Sequence, residues 1–92
     1  MSVVHVEVTG ELDLATAPAL LERVRTGLAG GPEAIVLDLA GVTFCDSSGI
    51  NALMDAHTLA GGRGTTLRVV NAQRITLRAL EITGVLPLLT GA

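Results

Sequence analysis

AIVLDLAGVTFCDSSGI, residues 34–50, joins a short apolar run to a polar helix start. Residues 34–39 are almost all aliphatic and lie between chain breakers, which is typical of a central strand covered on both faces by helices, with parallel neighbours. A loop is predicted from Gly41 to Cys45. Asp46 suits the N-cap of a helix from about Ser47 to Ala60, which a pair of glycines ends.

The residues before this segment predict one strand and one helix. Valine alternates with polar residues from Val3 to Thr9, which indicates a half-covered strand that Gly10 ends. Apolar residues then recur at helical spacing from Ala17 to Leu28, with Thr16 as the expected N-cap.

The residues after this segment repeat the pattern. Thr66 to Val70 is predicted to be a third strand, and Asn71 is expected to cap a helix from about Ala72 to Thr83. Gly84 followed by Val85 is typical of a Schellman-type helix ending.

Alternation of strand and helix predicts an α/β fold in which sequential strands are parallel and joined by right-handed crossovers. In such sheets, the loops at the carboxyl ends of the strands usually meet ligands and partners. These loops are residues 10–15 and 41–49, and two loops at one end of the sheet are expected to form one surface.

Composition limits the function. With 92 residues the chain is expected to be a single domain, 1–92. It has one aromatic residue and six dispersed arginines, which argues against nucleic acid as a partner. No transmembrane segment or signal peptide is visible and Cys45 is the only cysteine, so a cytoplasmic location without direct membrane contact is expected.

The densest polar cluster is Asp46-Ser47-Ser48-Gly49. If Asp46 is the N-cap, Ser47 and Ser48 lie in the first turn, where free amide groups and the helix dipole stabilise a phosphate. A phosphate beside Asp46 would also repel a partner that uses the same face. Taken alone, this motif is better explained as an ordinary helix cap.

Three segments together carry a resemblance to a known family: Gly-Glu-Leu-Asp at 10–13, Asp-Leu-Ala-Gly-Val-Thr-Phe-Cys-Asp-Ser-Ser-Gly-Ile at 38–50, and Leu-Arg-Val-Val-Asn at 67–71. They resemble the STAS domain of bacterial anti-sigma factor antagonists, over almost the whole chain and in the family's order and spacing.

The resemblance implies a phosphorylation-controlled protein switch that is not an enzyme. Unphosphorylated, the protein would bind an anti-sigma factor that is also a serine kinase, and so free a sigma factor; phosphorylation of Ser48 would end that binding, and a serine phosphatase would reset it. ATP and Mg²⁺ would belong to the kinase, and no cofactor is expected on this chain. The resemblance implies a partner-binding surface made of Asp13, Asp46, Ser47, Ser48, Gly49 and Ile50, and Asp13 is expected to serve docking without affecting thermal stability.

The chain departs from the family pattern at its beginning, where family members usually have a further strand before the one at Val3. An N-terminally truncated sheet has an open edge, and such an edge favours pairing with another chain, including a homodimer.

The residues also allow other interpretations. An alternative within the family is a constitutive protein-binding subunit of a transporter or sensory complex, which needs no phosphorylatable Ser48. A magnesium site formed by Asp13, Asp38 and Asp46 lacks the lysine of receiver domains, and Asp38 is expected to hydrogen-bond a neighbouring loop. His57 and Cys45 are interpreted as structural residues.

Overall fold

The computed structural model of the protein describes residues 2–84, 87 and 89. Strands and helices alternate as the sequence predicts: β1 (Val3–Leu12), α1 (Ala17–Leu28), β2 (Ala34–Cys45), α2 (Ser47–Gly61), β3 (Thr66–Val70) and α3 (Arg74–Ile82).

Within the described residues, the sheet has three strands in the order β1-β2-β3, and both pairs are parallel. Val6 pairs with Leu37, and Leu37 pairs in turn with Val69. The α/β fold with β2 at the centre is therefore confirmed.

The first two strands are longer than predicted, because their ends pair with each other. Glu11 pairs with Phe44 and Leu12 with Cys45, after register shifts that interrupt the regular alternation. Gly10 does not end β1; it takes a left-handed conformation with a φ of 80° and the strand continues. The predicted loop from Gly41 to Cys45 is likewise wrong, since these residues belong to β2.

One face of the sheet packs into the core and the other is largely open. Ile35, Leu37 and Leu39 are fully buried, whereas the alternate residues Val36 and Asp38 are only half-buried. On β1 and β3, the residues of that second face are exposed, among them His5, Glu7 and Arg68. The prediction that β2 is covered on both faces is therefore wrong.

The helices supply the rest of the core. In α1, a Cβ at Gly27 would lie 3.3 Å from Val4 and 3.4 Å from Ile35, which shows how closely this helix approaches the sheet. The helices α1 and α2 also pack against each other. The buried apolar side chains form one cluster: Val6, Val8, Leu12, Leu20, Val24, Leu28, Ile35, Leu37, Leu39, Val42, Cys45, Ile50, Ala52, Leu53, Ala56, Ala60, Leu67, Val69, Leu80 and Leu89.

The start of α3 also differs from the prediction. The helix begins at Arg74 with Gln73 at the N-cap position, and Asn71 lies before it at a φ of 59°. The Asn71 side chain donates a hydrogen bond to the Asp38 carboxylate at 3.2 Å instead of capping the helix. At the other end, Gly84 has a φ of 75°, as the predicted helix ending requires, while Val85 lies outside the described residues.

Candidate functional site

The carboxyl ends of β1 and β2 bring two polar loops together. Leu12 and Cys45 are paired at the ends of their strands, so Asp13 and Asp46, which follow them, begin neighbouring loops. The Asp46 backbone N–H donates to the Leu12 carbonyl oxygen at 3.2 Å and joins the two loops directly. The prediction that both loops form one surface is confirmed.

Asp46 caps α2. Its carboxylate accepts a hydrogen bond from the Gly49 N–H at 3.0 Å, and its backbone carbonyl accepts one from Ile50 at 3.0 Å. The predicted N-cap is therefore confirmed. The cap places Ser47, which is exposed, and Ser48, which is half-buried, in the first turn of the helix. Amide groups of a first turn have no partner within the helix, so this turn favours negative charge.

Gly49 allows the start of α2 to pack directly on the end of β1. A Cβ at this position would collide with the Leu12 carbonyl oxygen and would lie 2.8 Å from the Leu12 Cβ and 2.9 Å from the Cys45 sulfur. Gly49 is buried, and the next residue, Ile50, is a core residue with 7% of its surface exposed. Gly49 and Ile50 are therefore buried residues that fix the position of the α2 start beneath the surface. Their role in partner binding stays a prediction.

Cys45 is buried beneath this junction. Burial, and to a smaller extent the Asp46 carboxylate, raises the pKa of the Cys45 thiol to about 11. Because the thiolate is the reactive form, a thiol with a raised pKa is inert at neutral pH. The structural interpretation of Cys45 is confirmed.

The loop that contains Asp13 is closed by reciprocal hydrogen bonds with Thr16. The Asp13 carboxylate accepts from the Thr16 N–H at 3.1 Å, and the Thr16 hydroxyl accepts from the Asp13 N–H at 3.0 Å. The same hydroxyl donates to the Glu11 carbonyl oxygen at 2.8 Å. Thr16 occupies the N-cap position of α1, but its side chain makes no capping bond. Asp13 thus has a structural function, which is at odds with the expectation that it leaves stability unaffected.

A groove runs from this loop to α2 beside Ser48. Its volume is about 190 Å³, and it is lined by Leu14, Ala17, Leu21, Ser48, Asn51, Ala52 and Asp55; we call it the Ser48 groove. Leu14 is 76% exposed at the rim of the groove, so its apolar side chain is available for contact with a partner. Asp55 is the only charged residue of the lining, so the groove is mildly acidic.

Sequence reasoning did not single out Leu14, Asn51 or Asp55. Leu14 continues the alternation of Val8 and Leu12 and also precedes Ala17 at helical spacing, so the sequence pattern predicts a core residue and gives no signal of its exposure. Asn51 and Asp55 are one helical turn apart on α2 and carry no functional signal, because polar residues on an exposed helix face are ordinary.

The other candidates of the sequence analysis occupy separate places. Asp38 accepts hydrogen bonds from the Ala40 N–H at 2.9 Å and from Asn71, which confirms its expected bond to a neighbouring loop. Across the described ranges, no group of three His, Cys, Asp or Glu side chains comes close enough to hold a metal ion. His57 is half-buried on α2. In the same part of the chain, no helix has the length and apolar character needed to span a membrane.

The chain is a small α/β domain with a parallel sheet, and two adjoining strand-to-helix loops form its candidate site. The chain belongs to the STAS domain family, because the family model described as "Mlab, STAS domain" matches residues 2–90. The resemblance inferred from the sequence is thereby confirmed.

Individual relatives agree with this assignment. The anti-sigma-F factor antagonist RsfB of Mycobacterium tuberculosis is 36% identical over 75 residues, which cover 82% of this chain. The match spans only 61% of the length of RsfB. The crystal structure of an anti-sigma factor antagonist from Mycobacterium paratuberculosis is 34% identical, with a TM-score of 0.79, and the match covers 91% of this chain and 71% of that one.

The fold also occurs in a different setting. A sulfate transporter family protein from Wolinella succinogenes has a TM-score of 0.83 at 22% identity, over 97% of this chain and 72% of that one. At this identity the likeness concerns the fold alone.

Proposed function

We propose that this chain is an anti-sigma factor antagonist, and that it binds an anti-sigma factor with serine kinase activity through the Ser48 groove and the adjoining loops. In this proposal, phosphorylation of Ser48 ends the binding, and a serine phosphatase restores it. The observation that carries the proposal is the position of Ser48, in the first turn of α2 and in the lining of a groove with an exposed apolar residue at its rim.

The helix start can accept a phosphate without loss of fold. A phosphoserine carries a charge of about −1.5 to −2 at neutral pH. The amide groups and dipole of the first turn stabilise such a charge, so the modified chain is expected to keep its structure.

The surface around Ser48, in contrast, changes its character when the phosphate is added. The carboxylates of Asp46 and Asp55 already lie beside it, one as the helix cap and one in the groove lining. A partner that docks on the neutral hydroxyl would meet added bulk and a concentrated negative charge. Phosphorylation of Ser48 is therefore expected to leave the fold intact and to prevent binding of the partner.

In this proposal, the chemistry is divided between the two proteins. This chain contributes the Ser48 hydroxyl as phosphoryl acceptor and the loops that present it. The kinase partner would supply ATP, Mg²⁺ and the base that takes the hydroxyl proton. The names of the antagonists from Mycobacterium tuberculosis and Mycobacterium paratuberculosis support the general role of anti-sigma factor antagonist.

Phosphosite mapping by mass spectrometry on the protein isolated from its own cells tests the proposal. Ser47→Ala is a matched control, since Ser47 is the adjacent and more exposed hydroxyl of the same turn. Phosphate is expected on Ser48 in the wild type and in Ser47→Ala, and on neither serine in Ser48→Ala.

Calorimetry with the co-purifying anti-sigma factor then tests the switch. Ser48→Ala is expected to bind as the unphosphorylated protein does, and Ser48→Asp to bind poorly because of its negative charge. Phosphate on neither serine under any growth condition, together with equal affinity of both variants, would contradict the switch. That outcome would favour a constitutive protein-binding subunit of a transporter or sensory complex.

A further inference from the structure

The outer edge of β1 presents backbone groups that no described strand pairs with. The Ser2 carbonyl accepts hydrogen bonds from the N–H groups of Glu33 at 2.9 Å and Ala34 at 3.4 Å, so it points toward β2. Backbone groups of successive strand residues point to opposite sides. The N–H and C=O groups of Val3, His5 and Glu7 therefore point away from β2, along the free edge.

The side chains of β1 are sorted between the two faces of the sheet. Val6 and Val8 are buried on the core face and Val4 is half-buried there, while His5 and Glu7 are exposed on the open face. An antiparallel partner must match this pattern face to face, because a one-residue slip would place its polar residues against the valines.

A second copy of β1 is such a partner. In an antiparallel arrangement with a two-fold axis at Val6, His5 of each copy lies opposite Glu7 of the other, and Val4 lies opposite Val8. His5 and Glu7 both have outward backbone groups, so each of these two pairs can exchange both backbone hydrogen bonds. In this register no carboxylate lies opposite another carboxylate, so the like-charge repulsion that destabilises cross-strand pairs is avoided.

Neighbouring registers lose this complementarity. A shift of the axis to His5 places the two imidazoles against each other, and a shift to Glu7 places two carboxylates against each other, which is destabilising. The register centred on Val6, in contrast, keeps the valines together, places no two carboxylates against each other and matches the direction of the free backbone groups.

A shallow groove beside the edge supports the same arrangement. It has a volume of about 320 Å³ and lies between Val4 and Val6 of β1 and Glu22, Arg23, Thr26 and Gly27 of α1. In the two-fold arrangement, the valines of the second copy would extend the apolar layer of the sheet at this groove and cover the half-buried Val4.

We propose that the chain forms a symmetric dimer in which two β1 strands pair antiparallel about Val6 into a continuous six-stranded sheet. The dimer axis lies in the middle of β1, whereas the Ser48 groove lies at the carboxyl ends of the strands. Each copy keeps its groove free, so the dimer offers two partner-binding sites, and the dimer does not depend on the proposed function.

Sedimentation equilibrium of the whole 92-residue chain tests the proposal, with a charge swap as the central experiment. His5→Glu places a carboxylate opposite Glu7 in both symmetric pairs and is expected to raise the dimer dissociation constant about tenfold or more. The double variant His5→Glu with Glu7→His again places a histidine opposite a glutamate in both pairs and is expected to return the dissociation constant to near the wild-type value.

Thr66→Glu is the matched control. Thr66 is exposed on the same open face but on β3, so this variant adds the same charge away from the proposed interface. It is expected to leave the dimer intact, and far-ultraviolet circular dichroism of each variant verifies that it is folded.

Three results would overturn the proposal. A wild-type chain that is monomeric at every concentration would leave the edge to a strand of another protein. Failure of the double variant to restore what His5→Glu weakens would exclude this register. Dissociation by Thr66→Glu alone would assign the interface to β3.

Discussion

Gly49→Ala adds one methyl group at the junction between α2 and β1, and we expect it to destabilise the protein. The added Cβ would collide with the Leu12 carbonyl oxygen and lie within 3.0 Å of both the Leu12 Cβ and the Cys45 sulfur. Two of these three neighbours are held by the backbone of β1 and cannot rotate away. The start of α2 must therefore move outward for the methyl group to fit.

The magnitude follows from two opposing contributions. Overpacking of a close-packed site costs about 1–3 kcal/mol. Replacement of a helical glycine by alanine returns up to about 1 kcal/mol. Since the contacts involve rigid neighbours, we expect a net loss of about 1–2 kcal/mol in the free energy of unfolding. In a domain of this size, each kcal/mol lowers the melting temperature by about 4–8 °C.

Urea unfolding followed by circular dichroism measures this difference, with Gly61→Ala as the control. Gly61 is the last residue of the same helix, and a Cβ there would meet nothing within 4 Å. Gly61→Ala should be neutral or slightly stabilising. If Gly49→Ala proves as stable as Gly61→Ala, the packing argument for Gly49 is refuted.

Four further outcomes are expected. Asp46→Ala should lower the free energy of unfolding by about 1 kcal/mol through loss of the α2 cap, whereas Asp46→Asn should preserve most of it in urea titrations. Asp13→Ala should cost a similar amount, because it opens the loop; an unchanged melting temperature would contradict this. In the folded protein the pKa of the Cys45 thiol is raised to about 11, so the fold favours the neutral thiol. The resulting stabilisation is complete at a pH below the ordinary thiol pKa and is lost as the pH rises through the folded pKa. The free energy of unfolding of the wild type should therefore fall relative to that of Cys45→Ala between about pH 9 and pH 11. Leu14→Ala should weaken binding of the anti-sigma factor in calorimetry with little effect on stability, while the equally exposed Ile82→Ala should change neither.

Part of the candidate site could be predicted from the sequence. Asp46 could be recognised as a helix cap because an aspartate before a helical apolar pattern is a local signal, and the structure shows the expected bond to Gly49. The reciprocal bonds between Asp13 and Thr16 could not be anticipated in the same way. They depend on the path of the chain as it leaves β1, which the pairing of Leu12 with Cys45 determines.

Local signals in the sequence were sufficient for the order of the elements, the bounds of α1 and β3, and the start of α2. Periodicity, caps and glycines act within a few residues, and these elements obey them. Tertiary structure alone decided that residues 41–45 are strand and that Asn71 bonds Asp38 instead of capping α3. It also decided that position 49 has no room for a side chain. These features arise from contacts between segments distant in sequence, and the register shifts between β1 and β2 remove the alternation by which a strand is recognised locally.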